Sequence, residues 1–307
     1  MAGSRISGEA PASSTAADLV LGMATAGRPE IAVRTLARLG RQSRLPARVV
    51  VSAPGAQDFD RDALPEPGLA EMINGTRGLT CQRNTILDGA DDDAILFFID
   101  DDFLLADDYL AELCALFSAH PDVAVATGLV VEDGIHGPGL SFEEAEAIIA
   151  DVPPAGPEVL SDTYSGYGCN MAFRVSAARA VGARFHEGLP AYGWLEDVDF
   201  CRRLLPQGRI VRSNRLRGVH MGVKGGRDPG VRLGYSQIAN PIHLMGRKTM
   251  GPLAALNHMG RNLTANTVKS LRPEPWIDRP GRLRGNLIAI GDLVRGRLDP
   301  ARIQDLA

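Results

Sequence analysis

Six consecutive apolar residues, Ala94 to Ile99 (Ala-Ile-Leu-Phe-Phe-Ile), run directly into Asp100-Asp101-Asp102. A strand with no polar face must be covered on both sides, which is the situation of an interior strand of a parallel sheet flanked by helices. The three aspartates then lie at the carboxyl end of such a strand, where open α/β sheets bind ligands. Adjacent carboxylates repel one another, so the cluster is costly unless a cation offsets it. Carboxylate oxygens suit Mg²⁺ or Mn²⁺, which are commonly shared with substrate phosphates. The competing reading is a solvated loop. Asp91-Asp92-Asp93, between a helix and a strand, provides the comparison and is expected to be only a solvated turn.

The flanking sequence agrees with an α/β class. Leu19 to Thr25 reads as a buried strand entering the loop Ala26-Gly27-Arg28-Pro29, with a helix over Glu30 to Gln42 and a second strand over Arg48 to Ser52. Strand, helix, strand is the signature of parallel pairing. Pro54 to Leu69 is rich in Pro, Gly and Asp and reads as loop. Helices are expected over Cys81–Ala90, Asp108–Phe117, Phe142–Ala150, Ala177–Val181 and Glu196–Leu205. Strands are expected over Val123–Val130, Asn170–Arg174, Ile210–Val211 and Gly218–His220. Beyond Gly225 strand signals vanish and Arg and Lys become frequent, as in a helical extension. The division is a tail over 1–17, a main domain over 18–225 and the extension over 226–307.

Composition narrows the function classes. A net charge of -4 gives no global drive toward nucleic acid. The four cysteines, Cys81, Cys114, Cys169 and Cys201, form no C-x-x-C pair and suggest neither a zinc cluster nor a disulfide framework, which fits a reducing cytoplasm. No apolar run is long enough to span a bilayer. In the extension, Arg247, Lys248, Arg261, Lys269, Arg272, Arg279, Arg282 and Arg284 accompany Leu283, Leu287, Ile288, Ile290, Leu293 and Val294. Two readings stand: a helix closing over the sheet, or peripheral contact with the inner face of an anionic membrane.

Two further features bear on chemistry. Tyr192-Gly193-Trp194-Leu195-Glu196-Asp197-Val198-Asp199-Phe200 sets Glu196 and Asp197 at a helix start. Acids there commonly complement the helix dipole, but a carboxylate beside a metal site can also take a proton. His220 ends a short strand. A lone histidine is commonly structural, yet beside an aspartate cluster its imidazole can complete a metal shell.

In order along the chain, these features resemble the family 2 glycosyltransferases of GT-A fold, over roughly Leu19 to Met221. Thr25-Ala26-Gly27-Arg28-Pro29 looks like that family's first nucleotide-side loop. Arg77-Gly78-Leu79-Thr80-Cys81-Gln82-Arg83-Asn84 is similar to its G-x-x-x-x-R-N helix start, and Phe98-Ile99-Asp100-Asp101-Asp102 to its D-x-D motif. Gly168-Cys169-Asn170-Met171-Ala172-Phe173-Arg174 resembles its acceptor-side segment, Tyr192 to Phe200 its catalytic acidic segment, and His220 its trailing metal histidine.

The resemblance implies an inverting, Mn²⁺- or Mg²⁺-dependent transfer from a nucleotide-diphospho-sugar to a hydroxyl of a glycan or lipid-linked acceptor. It implies Asp197 as base with Glu196 orienting the acceptor, and Asp102, Asp100 and His220 at the metal. Thr25, Arg28, Arg77, Arg83, Asp100 and Asp101 would face the nucleotide-sugar, and Asn170 and Trp194 the acceptor. There are departures. The second strand ends Ser52-Ala53-Pro54 without the acid common there, and Asp58 comes only further on, which leaves the nucleoside open. The first loop lacks the Asn common before Arg-Pro. Three rival readings remain: a HAD-type phosphohydrolase, whose D-x-D follows the first strand; a sugar nucleotidyltransferase, which needs a longer Gly-rich loop than Ala26 to Pro29; and a non-catalytic binding module.

Overall fold

A computed structural model of the protein describes residues 17–66, 68–225 and 229–306. The tail expected over 1–17 lies, but for its last residue, outside the described residues, as does the boundary at 226–228. The chain runs β1 (Leu19–Ala24), α1 (Pro29–Ala37), β2 (Arg48–Ala53), β3 (Glu71–Asn74), α2 (Leu79–Asp88), β4 (Ile95–Ile99), β5 (Phe103–Leu105) and α3 (Tyr109–Ala119). It continues β6 (Val123–Asp133), α4 (Phe142–Ala150), β7 (Leu160–Asp162), β8 (Asn170–Arg174), α5 (Val175–Ala180), α6 (Glu196–Leu204) and β9 (Arg209–His220). It ends α7 (Gly230–Gly246), α8 (Pro252–Lys269) and α9 (Arg279–Val294).

One sheet carries the strands in the order β3-β2-β1-β4-β8-β6-β9-β5, with β7 pairing β9. β1 to β4 pair in parallel, β6 and β9 run the same way, and β8, β5 and β7 run against them. β4 is interior, and each of its five residues is at most 3% exposed, as its unbroken apolar run requires. One core fills the side of the sheet facing α1 and α3, around Leu21, Leu36, Phe97 and Leu113. A second fills the other side, around Phe98, Phe173, Phe185 and Phe200.

The expected strands and helices are found, with instructive differences. β3, β5 and β7 were not anticipated: each has at most four residues, too few for a period to show. β9 is a single twelve-residue strand rather than two short ones. Its middle, Arg212 to Arg217, looks polar in sequence because the ladder to β6 slips there and Arg217 is neutralised by Asp108. Asp91, Asp92 and Asp93 are an exposed turn, as expected.

The C-terminal helices bind the main sheet unit through α6. Val198 and Leu189 pack with Leu244, Met250 and Ala255. Asp199, fully buried, accepts from Arg247 Nε at 3.0 Å and Thr249 Oγ1 at 2.6 Å. α7 and α9 touch through backbone: a Cβ on Gly234 would lie 2.0 Å from the Arg282 carbonyl oxygen, and one on Gly285 2.1 Å from that of Val231. Asn266 and Asn286 seal this junction, with Asn266 Nδ2 donating to Gln237 and Asn286, and Asn286 Nδ2 to the Gly234 carbonyl. The apolar stripe expected on α9 is divided: Ile288 and Ile290 pack inward, while Leu287 and Val294 stay exposed. No described helix is long and apolar enough to cross a membrane.

Backbone contact at Gly234 leaves no room for a methyl group, so Gly234→Ala should destabilise by at least about 1–3 kcal/mol, as overpacking does. Gly260, in the middle of α8, faces open space. Gly260→Ala should instead stabilise by about 0.8–1 kcal/mol through helix propensity. Thermal melting of the two variants checks both signs, and equal effects would contradict this packing.

Candidate active site

The site forms where β4 ends. The ladder from β5 to β9 pairs Phe103 with His220, and that from β6 to β9 pairs Asp133 with His220. Register alone therefore places His220 between Asp102, next to Phe103, and Asp133. The side chains complete the row: His220 Nε2 lies 3.4 Å from Asp102 Oδ1, and Nδ1 lies 2.8 Å from Asp133 Oδ1. Tyr167 donates its hydroxyl to Asp133 Oδ2 at 3.0 Å. Burial alone would lower the His220 pKa, but the Asp102 and Asp133 carboxylates outweigh it and raise it to about 10. Burial would likewise raise that of Asp102, but His220, Arg28 and the Val223 N–H hold it well below the usual carboxylate range.

Asp100, Asp102 and His220 each offer one ligand atom within 4.8 Å of the others. Two carboxylate oxygens and one imidazole nitrogen are a donor set for Mn²⁺ or Mg²⁺. An Nδ1–H held by a carboxylate turns Nε2 toward the ion, the usual arrangement of a ligating histidine. The three residues fit a divalent cation. Asp133 and Tyr167, which orient the histidine, were missed in the sequence: Asp133 adjoins no motif, and Tyr167 precedes the Gly168–Arg174 segment without belonging to it.

Arg83 stands behind this cluster, 1% exposed. It donates to Glu196 Oε1, to the Gly168 carbonyl at 2.7 Å and to Asp100 Oδ1 at 3.2 Å. Phe98 and Phe185 cover its guanidinium at 5.3 and 5.5 Å. It thus ties β4 to the start of α6. Glu196 is buried, with Oε2 unpaired; burial pushes its pKa up to about 8 against the pull of Arg83. Asp197 is half-buried, accepting from Gly168 N at 3.0 Å and from Val198 N at 2.8 Å. Burial raises its pKa despite those two bonds. Ala191 and Leu195 hold positive φ of 59° and 70° on either side of Trp194. Such strain in non-glycine residues persists only where the surrounding structure over-determines the backbone.

On the donor side the structure redistributes the expected residues. Thr25 and Asp101 were expected to face the nucleotide-sugar, but both are nearly inaccessible and bond each other at 2.6 Å. They hold Arg28 instead, whose Nη2 lies 2.7 Å from Asp101 and Nη1 3.3 Å from Asp102. Arg83, also expected there, is committed to protein acceptors. Arg77 remains exposed and donates to both oxygens of Asp58, at 2.9 and 3.0 Å. Asp58, buried at 2%, also accepts from Gly27 N at 2.8 Å. A buried carboxylate a few residues after β2 thus ties the loop after β1 to Arg77. Gln82 fastens the same corner, donating to the Thr25 and Ser52 carbonyls at 2.9 and 2.7 Å.

The acceptor-side expectations divide. Asn170 is fully buried and accepts from Thr127 Oγ1, so it braces β8 against β6 rather than lining a pocket. Trp194 is half-exposed, its carbonyl accepting from Asn240 of α7 at 2.7 Å and its ring edge-on to His258 of α8 at 6.1 Å. The C-terminal helices thus reach the loop that precedes the acid pair, a contact no local signal announced.

No protein-family model matches the sequence, and no curated protein matches it. Solved structures do. The chain aligns over 95% of its length with 86% of mannosyltransferase PcManGT from Pyrobaculum calidifontis in complex with GDP-Man and Mn²⁺, at TM-score 0.55 and 16% identity. It aligns over 94% with 83% of S. aureus TarS 1-349, at TM-score 0.55 and 14% identity. The chain has the GT-A fold. GalNAc-T7 with UDP, GalNAc and Mn²⁺ aligns at TM-score 0.53 and 14% identity, and the chain spans 59% of it; it spans 40% of a longer TarS chain. In this GT-A fold the aspartate triplet follows the fourth strand rather than the first, which departs from the phosphohydrolase arrangement.

Arg83 is the sole described cation that meets both Asp100 and Glu196. Removing Arg83 leaves Glu196 Oε1 and Asp100 Oδ1 without their donor in a place closed to water, at about 1–3 kcal/mol or more. Arg83→Met should lose that much by denaturant unfolding, and Arg83→Met with Glu196→Gln should recover part of it. No recovery in the double variant would mean that Glu196 is not the group left stranded.

Proposed function

We propose that this protein is an inverting glycosyltransferase that moves a sugar from a nucleotide-diphospho-sugar to a hydroxyl acceptor with a divalent metal ion. The observation that carries the reading is the Asp100, Asp102, His220 cluster at the end of β4, joined through Arg83 to the acids that open α6. The structures of similar fold add support: PcManGT is in complex with GDP-Man and Mn²⁺, and TarS 1-349 with UDP-GlcNAc.

Asp102, Asp100 and His220 would hold Mn²⁺ or Mg²⁺, which when bound supplies Lewis-acid stabilisation of charge on the departing diphosphate. Arg28 lies beside Asp102 and remains partly exposed, so its guanidinium can add positive charge at the same place. Arg77, steadied by Asp58, lies at the corner where the loops after β1 and β2 meet, and would contact the nucleoside or its phosphates. Asp197 takes the acceptor proton. Its two backbone N–H bonds fix the direction of the carboxylate while each oxygen keeps a lone pair, and its raised pKa makes it a stronger base than a solvated aspartate. Glu196 is too enclosed for that role and instead holds Arg83 and the loop carrying Trp194. The Trp194 ring offers an apolar face to an acceptor sugar.

Asp197→Asn keeps the shape of the side chain and cannot take the proton. It should bind donor nucleotide normally while transfer falls by about 10²-fold or more. Nucleotide release in the presence of acceptor measures the transfer, and a melting curve separates this from loss of a helix start. Transfer near the wild-type rate would place the base elsewhere.

A second prediction concerns the orientation of His220. Asp133→Leu removes the acceptor for Nδ1–H and should weaken Mn²⁺ binding about 10–100-fold, as loss of such a partner does elsewhere, and Asp102→Ala should abolish it. Titration of Mn²⁺ by electron paramagnetic resonance reads both. Unchanged affinity in Asp133→Leu would show that the histidine needs no orienting carboxylate.

A further inference from the structure

The seam between the main sheet unit and the C-terminal helices contains a cavity of about 440 Å³, lined by Arg184, Phe185, His186, Arg203, Arg247 and Thr249. None of these is acidic, and none belongs to the metal cluster, the acid pair or the donor corner. Arg184 pairs with Asp88, and Arg247 with the buried Asp199. Arg203 donates to the carbonyls of Gly182 and Arg184, at 2.8 and 3.4 Å, and has no carboxylate partner among the described residues. At the edge, His186 Nε2 and His243 Nε2 are 2.8 Å apart, with the rings stacked at 5.0 Å. Such a contact needs one ring to donate and the other to accept, so the two facing nitrogens hold a single proton between them. Burial lowers the pKa of each ring first, and Arg247 lowers it further.

The positive groups divide across the seam. Arg184 and Arg203 belong to the sheet-bearing part and Arg247 to the end of α7, with the His186–His243 pair bridging the seam. Cations therefore face cations where two parts of the molecule must stay docked. Asp199 and Asp88 balance two of them and leave Arg203 uncompensated. A tetrahedral oxyanion is the ligand such a site matches: guanidinium forks present paired N–H donors to phosphate oxygens, and the negative charge relieves repulsion across the seam.

We propose that this seam binds a phosphate-class oxyanion through Arg184, Arg203 and Arg247, with the His186–His243 pair at its rim. The site does not depend on the transferase reading. It adjoins the machinery proposed there, because Phe185 stacks on Phe200 of α6 at 4.1 Å and lies beneath Arg83. Asp199, the partner of Arg247, sits on the same helix as Glu196 and Asp197.

The test is titration of the wild-type protein with inorganic phosphate against sodium chloride at matched ionic strength. The His186 and His243 ring signals are followed by NMR, and melting temperature in parallel. Phosphate also stabilises proteins generally by exclusion from their surface, so the double variant Arg184→Gln with Arg203→Gln serves as the reference. Saturable shifts of both ring signals are expected in the wild type and not in the double variant. Phosphate should also raise the wild-type melting temperature by several degrees more than it raises that of Arg184→Gln with Arg203→Gln. Dimethyl phosphate, run alongside, distinguishes sources. If it matches inorganic phosphate, the site takes a phosphodiester within a chain; if only inorganic phosphate acts, it takes a free or terminal phosphate. Shifts that never saturate, or equal melting rises in the two proteins, would overturn the proposal. Because the ring signals are read in unmodified protein, a double variant that fails to fold leaves the test intact.

Discussion

Everything around the end of β4 answers one electrostatic demand: several carboxylates are brought together in a place that water scarcely reaches. Asp101 and Asp102 are 1% and 2% exposed, and Glu196 is 4% exposed. Charges in such surroundings are tolerated only when paired and hydrogen-bonded. The protein supplies a separate cation for each need. Arg28 crosses from the loop after β1 to Asp101 and Asp102, Arg83 rises from α2 to Asp100 and Glu196, and His220 comes from β9 to Asp102. Each of these groups comes from a different element, so the charge balance also fixes how α2, α6 and β9 meet the central strand.

That balance has a consequence for the site. Asp102 is already engaged by Arg28, His220 and the Val223 N–H. A divalent ion entering between Asp100, Asp102 and His220 would take over the role of the proton on His220, with Asp133 still holding the opposite ring nitrogen. The acids that open α6 are meanwhile held from below by Asp199, whose bonds to Arg247 and Thr249 draw α7 against them. The helices that follow β9 therefore reach the acid pair through α6 and the loop before it, and the Trp194 contacts with Asn240 and His258 follow from that docking.

Much of this was legible in the sequence, for physical reasons that can be named. The strand over 95–99 was evident because an interior strand must be apolar at every position, and the Asp100–Asp102 triplet stood out from Asp91–Asp93 because it lies at that strand's carboxyl end. The cluster of Asp100, Asp102 and His220 was likewise expected, and the structure brings those residues together. Residues judged by motif alone fared unevenly. Thr25, Asp101, Arg83 and Asn170 occupy expected positions along the chain, yet burial turns them into supports for their neighbours. Asp133, Tyr167 and Gln82 escaped notice because their importance arises from register and long-range contact, which no local pattern carries. Asp58 stands further along the chain than the acid common after a second strand, and the short turn after β2 that returns it to Gly27 has no periodic signature.

The central claim is that the strand-end cluster binds a nucleoside diphosphate through a divalent ion. A ligand that binds only the folded state raises its stability, by about 2.7 kcal/mol at a hundred times the dissociation constant. The direct measurement is therefore the melting temperature of the wild-type protein with UDP, GDP or dTDP, in the presence of Mn²⁺ and again with EDTA. The account predicts a rise with at least one of these nucleotides that requires Mn²⁺ and disappears on chelation. Melting temperatures that are the same with and without the ion, for all three nucleotides, would contradict it.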